Sequence, residues 1–250
     1  MDKAINMKCL VVTALTAIAM LASCNGQSPS QTSAEKKEDA GAAESGKRRS
    51  ENVVRVKMGT PKEFTHVTNL GSANIIYTQG DYAMEVEGDS AMLQYLMTSF
   101  DSNLLTVSMR TDGNRDFNLY GSTSNVTIHL SCPDLKCVSI CGNGGFESKG
   151  KWSGDKIEVG VLNTGTLCLD TIECNTFGLQ STSVSLINLS YLKANEVNVL
   201  TRTSATVEMN VDAEELTILN DGKPKITLTG KATNLLIKNP KDEGLVNRIK

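Results

Sequence analysis

The second half of the chain repeats an apolar, strand-like pair about every 20 residues, and this period restricts the fold more than any other feature. The pairs are Val138/Ile140, Ile157/Val159, Phe177/Leu179, Val197/Val199, Leu216/Ile218 and Leu235/Ile237, their first members 19, 20, 20, 19 and 19 positions apart. A short, constant period with alternating patterning marks stacked rungs, because one such unit cannot bury its own inner face. Between the pairs lie small polar turns at 142–145, 163–165, 181–183, 201–203 and 220–222. Gly and Asn accept the positive φ of a sharp corner, and Ser and Thr supply side-chain hydrogen bonds. Second strands are expected over 166–169, 184–189, 205–211 and 225–228. No segment there carries a helical period, which excludes the crossover helices of a βαβ protein. The sequence therefore predicts an all-β fold: a parallel β-helix or β-solenoid over residues 53–240, with rungs of about 20 residues and a C-terminal tail over 241–250. Asn143 is expected above Asn163, beginning a polar ladder. Asn220-Asp221-Gly222 also suits a hairpin, so a β-sandwich is the alternative.

Residues 53–130 are strand-rich but less regular. Strands are expected over 64–70, 74–79, 83–87, 104–109 and 126–130, and a loop over 113–121. Between them, Met92, Leu93, Leu96 and Met97 stand at helical spacing behind Asp89. A short amphipathic helix over 89–99 is expected to cap one open end of the column.

The N-terminus reads differently. Lys3 and Lys8 precede an apolar stretch from Leu10 to Leu21, too short to span a bilayer and suited to an export signal. It ends in Leu21-Ala22-Ser23-Cys24, which resembles a bacterial lipobox and implies cleavage after residue 23 and lipid on the Cys24 thiol. Residues 24–52 then form a tether of Ser, Ala, Gly, Glu and Lys composition. The expected partner of this end is a membrane, held through acyl chains. Formal net charge is −3 with mixed signs, so nothing points to nucleic acid.

Chemistry is thinly represented. Of seven cysteines, Cys9 leaves with the signal and Cys24 carries lipid. Cys132, Cys137, Cys141, Cys168 and Cys174 are read as buried thiols, or as one bridge near the start of the repeat, and no metal ligand set or cofactor is assigned. His66 and His129 fall inside strands with no partner placed by a motif. Asp155, Asp170, Glu173, Asp212, Glu214 and Glu215 lie mostly at rung corners without a constant offset, whereas a glycosidase needs two cooperating carboxylates. Glu158 and Glu196 alternate with apolar residues and are read as a solvated face. No catalytic residue is assigned. Trp152, in a Lys-Gly-Lys-Trp-Ser-Gly stretch expected to be an exposed loop, is a candidate for stacking on a ligand. Thr164, Ser183 and Thr203 are candidate ligand contacts on a polar outer face with Thr166, Ser181, Ser185, Thr201 and Ser204.

Phe64-Thr65-His66-Val67, Gly71-Ser72-Ala73-Asn74-Ile75, Val86-Glu87-Gly88-Asp89, Asn103-Leu104-Leu105-Thr106-Val107, Val126-Thr127-Ile128 and Pro133-Asp134-Leu135 follow one another in a recognisable order. In that order and spacing the chain resembles the putative auto-transporter adhesin family with a head GIN domain, lipoproteins and secreted proteins of Bacteroidetes. The resemblance covers about residues 60–240. Here Gly142, Gly144, Gly165 and Gly222 retain the family's turn glycines, which are missing near Thr182 and Thr203. The resemblance implies a β-solenoid with a non-catalytic binding role, its ligand a glycan or a protein. The alternatives are a carbohydrate-active enzyme or glycan-binding protein, or an envelope scaffold. Asn25-Gly26-Gln27-Ser28 lacks an acidic run, which favours the periplasmic face of the outer membrane over the cell surface.

Overall fold

The computed structural model describes residues 53–59, 61–110, 126–202, 204–238 and 245–249. The signal segment, Cys24, the tether, the 113–121 loop and Thr203 lie outside the described residues. The strands are β1 (Val53–Lys57), β2 (His66–Asn69), β3 (Asn74–Gln79), β4 (Ala83–Asp89), β5 (Leu96–Asp101), β6 (Leu104–Met109), β7 (Thr127–Cys132) and β8 (Cys137–Ile140). Long strands follow: β9 (Gly145–Val161), β10 (Thr166–Ser181), β11 (Leu186–Thr201), β12 (Thr206–Asn220), β13 (Lys225–Lys238), and finally β14 (Leu245–Ile249). The molecule is a β-solenoid, as the period predicts.

From β9 to β14 every pairing between successive strands is parallel, and in register apart from one bulge each in the β9–β10 and β11–β12 pairs. Phe177 stacks on Ile157 and Val197, and Val197 on Leu216, which stacks on Leu235. The hydrogen-bond ladder holds equivalent positions about 4.8 Å apart, so each column of Val, Ile and Leu is continuous. Within β11 the buried positions are Ile187, Leu189, Leu192, Ala194, Val197, Val199 and Thr201. The three-residue steps after Leu189 and after Ala194 each reverse the side-chain phase. The strand therefore bends twice, and each rung has three sides around one apolar core.

The register departs from the expected one at the start of the repeat. Val138 pairs with Val159, and Ile140 with Val161, so Ile157/Val159 is not the partner of Val138/Ile140. Both alignments keep apolar residues inward, because a slip of two preserves alternation. The turns decide it: Thr166 pairs with Gly145, 21 positions earlier, and the same offset carries Ile140 to Val161. Asn163 consequently stands at the level of Gly142, and the expected Asn143–Asn163 ladder does not form. A ladder runs instead along another corner, where Asn195 Nδ2 donates to Asn175 Oδ1 at 3.2 Å and Asn175 Nδ2 donates to Asp155 Oδ1.

Rungs shorten along the axis. Lys149 and Gly150 stand opposite the single residue Asp170, and Ser190 and Tyr191 opposite Asn210. The offset between rungs thus falls from 21 (Gly145 to Thr166) through 20 (Thr166 to Leu186) to 19 (Thr206 to Lys225). Gly150 has φ +71° at the first bulge, and its N–H donates to Asp170 Oδ2 at 3.0 Å. Gly230, at φ +100° in the same corner of β13, approaches so closely that a Cβ would lie 2.1 Å from the Val211 carbonyl oxygen.

The N-terminal end is interleaved. β2 lies between β6 and β8, and β3 between β7 and β9. The rung written first in the chain is thus sandwiched between two written later. Antiparallel strands finish this end, β4 on β7, β1 on β4 and β5 on β6. The expected helix over 89–99 is only α1 (Ser90–Leu93), capped where the Asp89 carboxylate accepts from the Ala91 N–H at 2.9 Å. Met92 and Leu93 pack on the core, but the chain returns to strand at Leu96 because β6 offers a full set of backbone partners. Residues 245–249, read from the sequence as part of a tail, pair with β13.

None of the five described cysteines is in a disulfide. Burial pushes Cys132 up to about 12, Cys141 up to about 11 and Cys174 up to about 12, from an ordinary 9.0. Cys168, exposed on β10, is raised too, by partial desolvation and the nearby Glu147 carboxylate. A raised thiol pKa in the folded state favours folding below the unfolded value and is lost as pH climbs through the folded one. Urea midpoints are therefore expected to fall between pH 9 and 11. A maleimide probe at about pH 7.5, with peptide mapping, is expected to label Cys168 first and Cys132 only in denaturant.

Candidate ligand-binding face

The outward positions of the first side of each rung form aligned columns. Thr166, Leu186, Thr206 and Lys225 make one column, and Glu147, Cys168, Asn188, Glu208 and Thr227 the next. Alternation alone would make every member of the first column polar, since Leu167, Ile187, Val207 and Ile226 take the inward places. Leu186 breaks the pattern and is 53% exposed, and Val184 in the preceding turn is 61% exposed. Thr164 occupies the same turn position one rung below Val184 and is exposed, while Ser183 is half-buried beside it. The face thus has an apolar centre rimmed by Thr164, Thr166, Asn188 and Thr206. Such a surface gives van der Waals contact to a ring face or aliphatic chain, with hydroxyl and amide groups placed for hydrogen bonds around it.

Two of the four expected contacts therefore fall here, Thr164 and Ser183. Trp152 does not. It lies in β9 and is 1% exposed, with Nε1 donating to the Leu135 carbonyl at 2.9 Å. Its ring packs edge-on to Tyr77 at 5.3 Å and tilted to Phe146 at 6.0 Å. The expected loop is a strand because Trp152 pairs with Ile172 in the ladder, at the first inward position after the Gly150 bulge. Ser181, Ser185 and Thr201 are also buried, not outward. Ser181 and Thr201 continue the inward phase of Phe177/Leu179 and Val197/Val199, and the Ser181 and Ser185 hydroxyls satisfy one another at 2.7 Å. Val184 and Leu186 are the members that sequence reasoning misses. The signal is present: a leucine two residues before Asn188 in the outward phase of an otherwise polar column.

Most acidic residues are engaged elsewhere, although Glu147 and Glu208 share the second outward column. Glu158, expected on a solvated face, is buried and paired with Lys156 at 2.8 Å. Asp212 pairs with Lys231 at 3.2 Å. Lys151 holds the Glu173 carboxyl below its ordinary value. His66 Nδ1 sits 2.9 Å from the Thr65 hydroxyl and 3.1 Å from Asn103 Nδ2, and His129 Nε2 3.2 Å from Glu87 Oε2. Each of these carboxylates and imidazoles is tied to a structural partner rather than converging with a second on one face.

Residues 63–191 match the family described as putative auto-transporter adhesin, head GIN domain, and the chain belongs to this family. Among solved structures, it resembles a putative adhesin from Bacteroides fragilis at 18% identity and TM-score 0.51, covering 75% of this chain and 97% of that one. A putative adhesin from Parabacteroides distasonis aligns at 12% identity and TM-score 0.54, covering 80% of this chain and 98% of that one. At these identities the likeness is one of fold. No curated protein matches the chain.

Truncating Trp152 tests its structural role. Trp152→Ala is expected to lower stability by about 3–5 kcal/mol in urea titrations, while any ligand binding under conditions that keep the variant folded stays within about twofold of wild type. A selective loss of binding would return Trp152 to the ligand face.

Proposed function

We propose that this is an envelope-anchored, non-catalytic glycan-binding protein that uses the face around Val184 and Leu186. The exposure of that apolar pair among the outward Thr164, Thr166, Asn188 and Thr206 is the observation that carries the reading. An extended glycan has the same pattern, with apolar C–H faces on each ring edged by hydroxyls. Hydroxyl and amide groups in the rungs on either side of the pair give an extended ligand further contacts, and weak contacts along one ligand chain add through effective concentration. The lipobox supports attachment through Cys24, and several acyl chains anchor stably because each buried methylene contributes about 0.8 kcal/mol. The tether over 25–52 then separates the solenoid from the bilayer. The composition after Cys24 favours the periplasmic leaflet, so envelope polysaccharides are the ligands to try first.

The test is a binding screen of the chain from residue 24, carrying Cys24→Ser, against bacterial and host polysaccharides, with reducing ends assayed in parallel. Saturable binding without new reducing ends is expected, and Leu186→Lys should weaken it at least tenfold with the urea midpoint unchanged. Released reducing ends would make the protein an enzyme. Binding that ignores Leu186→Lys would move the site off this face. In the producing cell, protease should degrade the protein only after the outer membrane is permeabilised.

A further inference from the structure

The two ends of the solenoid are closed to different degrees. At the C-terminal end β14 pairs only with Ile226–Gly230 of β13. The other half of that rung, Asn234–Lys238, pairs inward with Glu215–Leu219, and among the described residues no strand pairs with its outer edge. The core columns end there unfinished. Ile157, Phe177, Val197 and Leu216 are at most 1% exposed, whereas Leu235, the next member, is half-buried, and so is Ile237 above the fully buried Ile218. The outward side is anomalous as well. Register places Glu158, Gly178, Asn198 and Thr217 in one outer column, and its final member is Leu236, 48% exposed. Apolar side chains on both faces of an open strand edge are what proteins ordinarily avoid.

Charge narrows the occupant. β13 and β14 carry Lys225, Lys231, Lys238 and Arg248 and no Asp or Glu, and of these Lys231 pairs back to Asp212 at 3.2 Å. At the opposite end the cations of β1 are matched within the chain, Arg55 by Glu85 at 2.6 Å and Lys57 by the same carboxylate at 3.8 Å. A second copy docked end to end would set the cationic rung against itself. Its approach would also be blocked by β14, which stands one strand beyond the open edge. A single extended segment meets neither obstacle. It fits beside β14, bonds the backbone of Asn234–Lys238, and lays two alternate apolar side chains over Leu235 and Ile237.

We propose that Asn234–Lys238 is a strand-docking edge that accepts an extended, acid-flanked segment of a partner protein. This goes beyond glycan binding on the lateral face but rests on the same non-catalytic reading, and the two contacts lie on different surfaces. The test uses the chain from residue 24 with Cys24→Ser and two fluorescent peptides, EDVTVDE and KKVTVKK, read by polarisation and by amide exchange. The acidic peptide should bind saturably, at least tenfold tighter than the basic one, and slow exchange at 234–238. Ile237→Lys, which points a charge inward at the open edge, should weaken it at least tenfold. Lys238→Glu, at an exposed position, should reduce the preference for the acidic peptide without altering the urea midpoint. No binding up to millimolar peptide, protection at 53–57 instead, or indifference to both substitutions would overturn the proposal. So would sedimentation showing that wild type dimerises through this edge. Failure of both peptides with glycan binding intact removes the docking edge alone. Release of reducing ends removes the non-catalytic reading on which both rest.

Discussion

Parallel, in-register pairing between rungs is the constraint on which the rest of the structure depends. Each backbone ladder forces residues one rung apart to occupy the same place, inside or out. An inward position that is apolar in one rung is therefore kept apolar in the next, or its polar group must find a partner there, as the Ser181 hydroxyl above Val161 does in Ser185. The core shows this from Ile157 to Leu235, and the Asp155–Asn175–Asn195 corner shows the polar counterpart, where side-chain amides pair along the axis as the backbone does. The same rule makes exceptions informative. Leu186 and Leu236 are conspicuous only because their columns are otherwise small or polar.

How much of this is legible in the sequence follows from what alternation encodes. It specifies the side of the sheet on which a residue lies, so the solenoid and the inward residues from Ile157 onward can be read directly. It does not specify which even-numbered slip is used, and a constant period accordingly aligns Val138 two residues away from its true partner. Nor does it mark where a strand bends. Polar chemistry argues for placing Ser181, Ser185 and Thr201 outside, although the phase running through Phe177 and Leu179 carries Ser181 inward. Trp152 misleads for a related reason. Glycines at 150 and 154 suggest a loop, yet Gly150 supplies the positive φ of a bulge within a continuous strand.

The candidate face is half legible. Hydroxyl-rich turns point to Thr164 and Ser183, but the apolar centre between them depends on the register of β11 against β10 and β12. The amphipathic spacing of Met92, Leu93, Leu96 and Met97 is real but short, and it loses to tertiary pairing. Once β6 is in place, residues 96–101 complete an antiparallel pair that a longer helix would leave open.

The interleaving of β2 and β3 between later strands bears on biosynthesis. A chain leaving the ribosome N-terminus first presents His66–Asn69 and Asn74–Gln79 with both edges bare. Their lower neighbours arrive with β6 and β7 and their upper ones with β8 and β9, so neither strand has both edges closed until roughly seventy further residues have emerged. The downstream rungs, which need only the rung before them, can then add one at a time. Assembly is thus vectorial in its second half and obligatorily delayed in its first, and holdase chaperones would find their substrate in that delay.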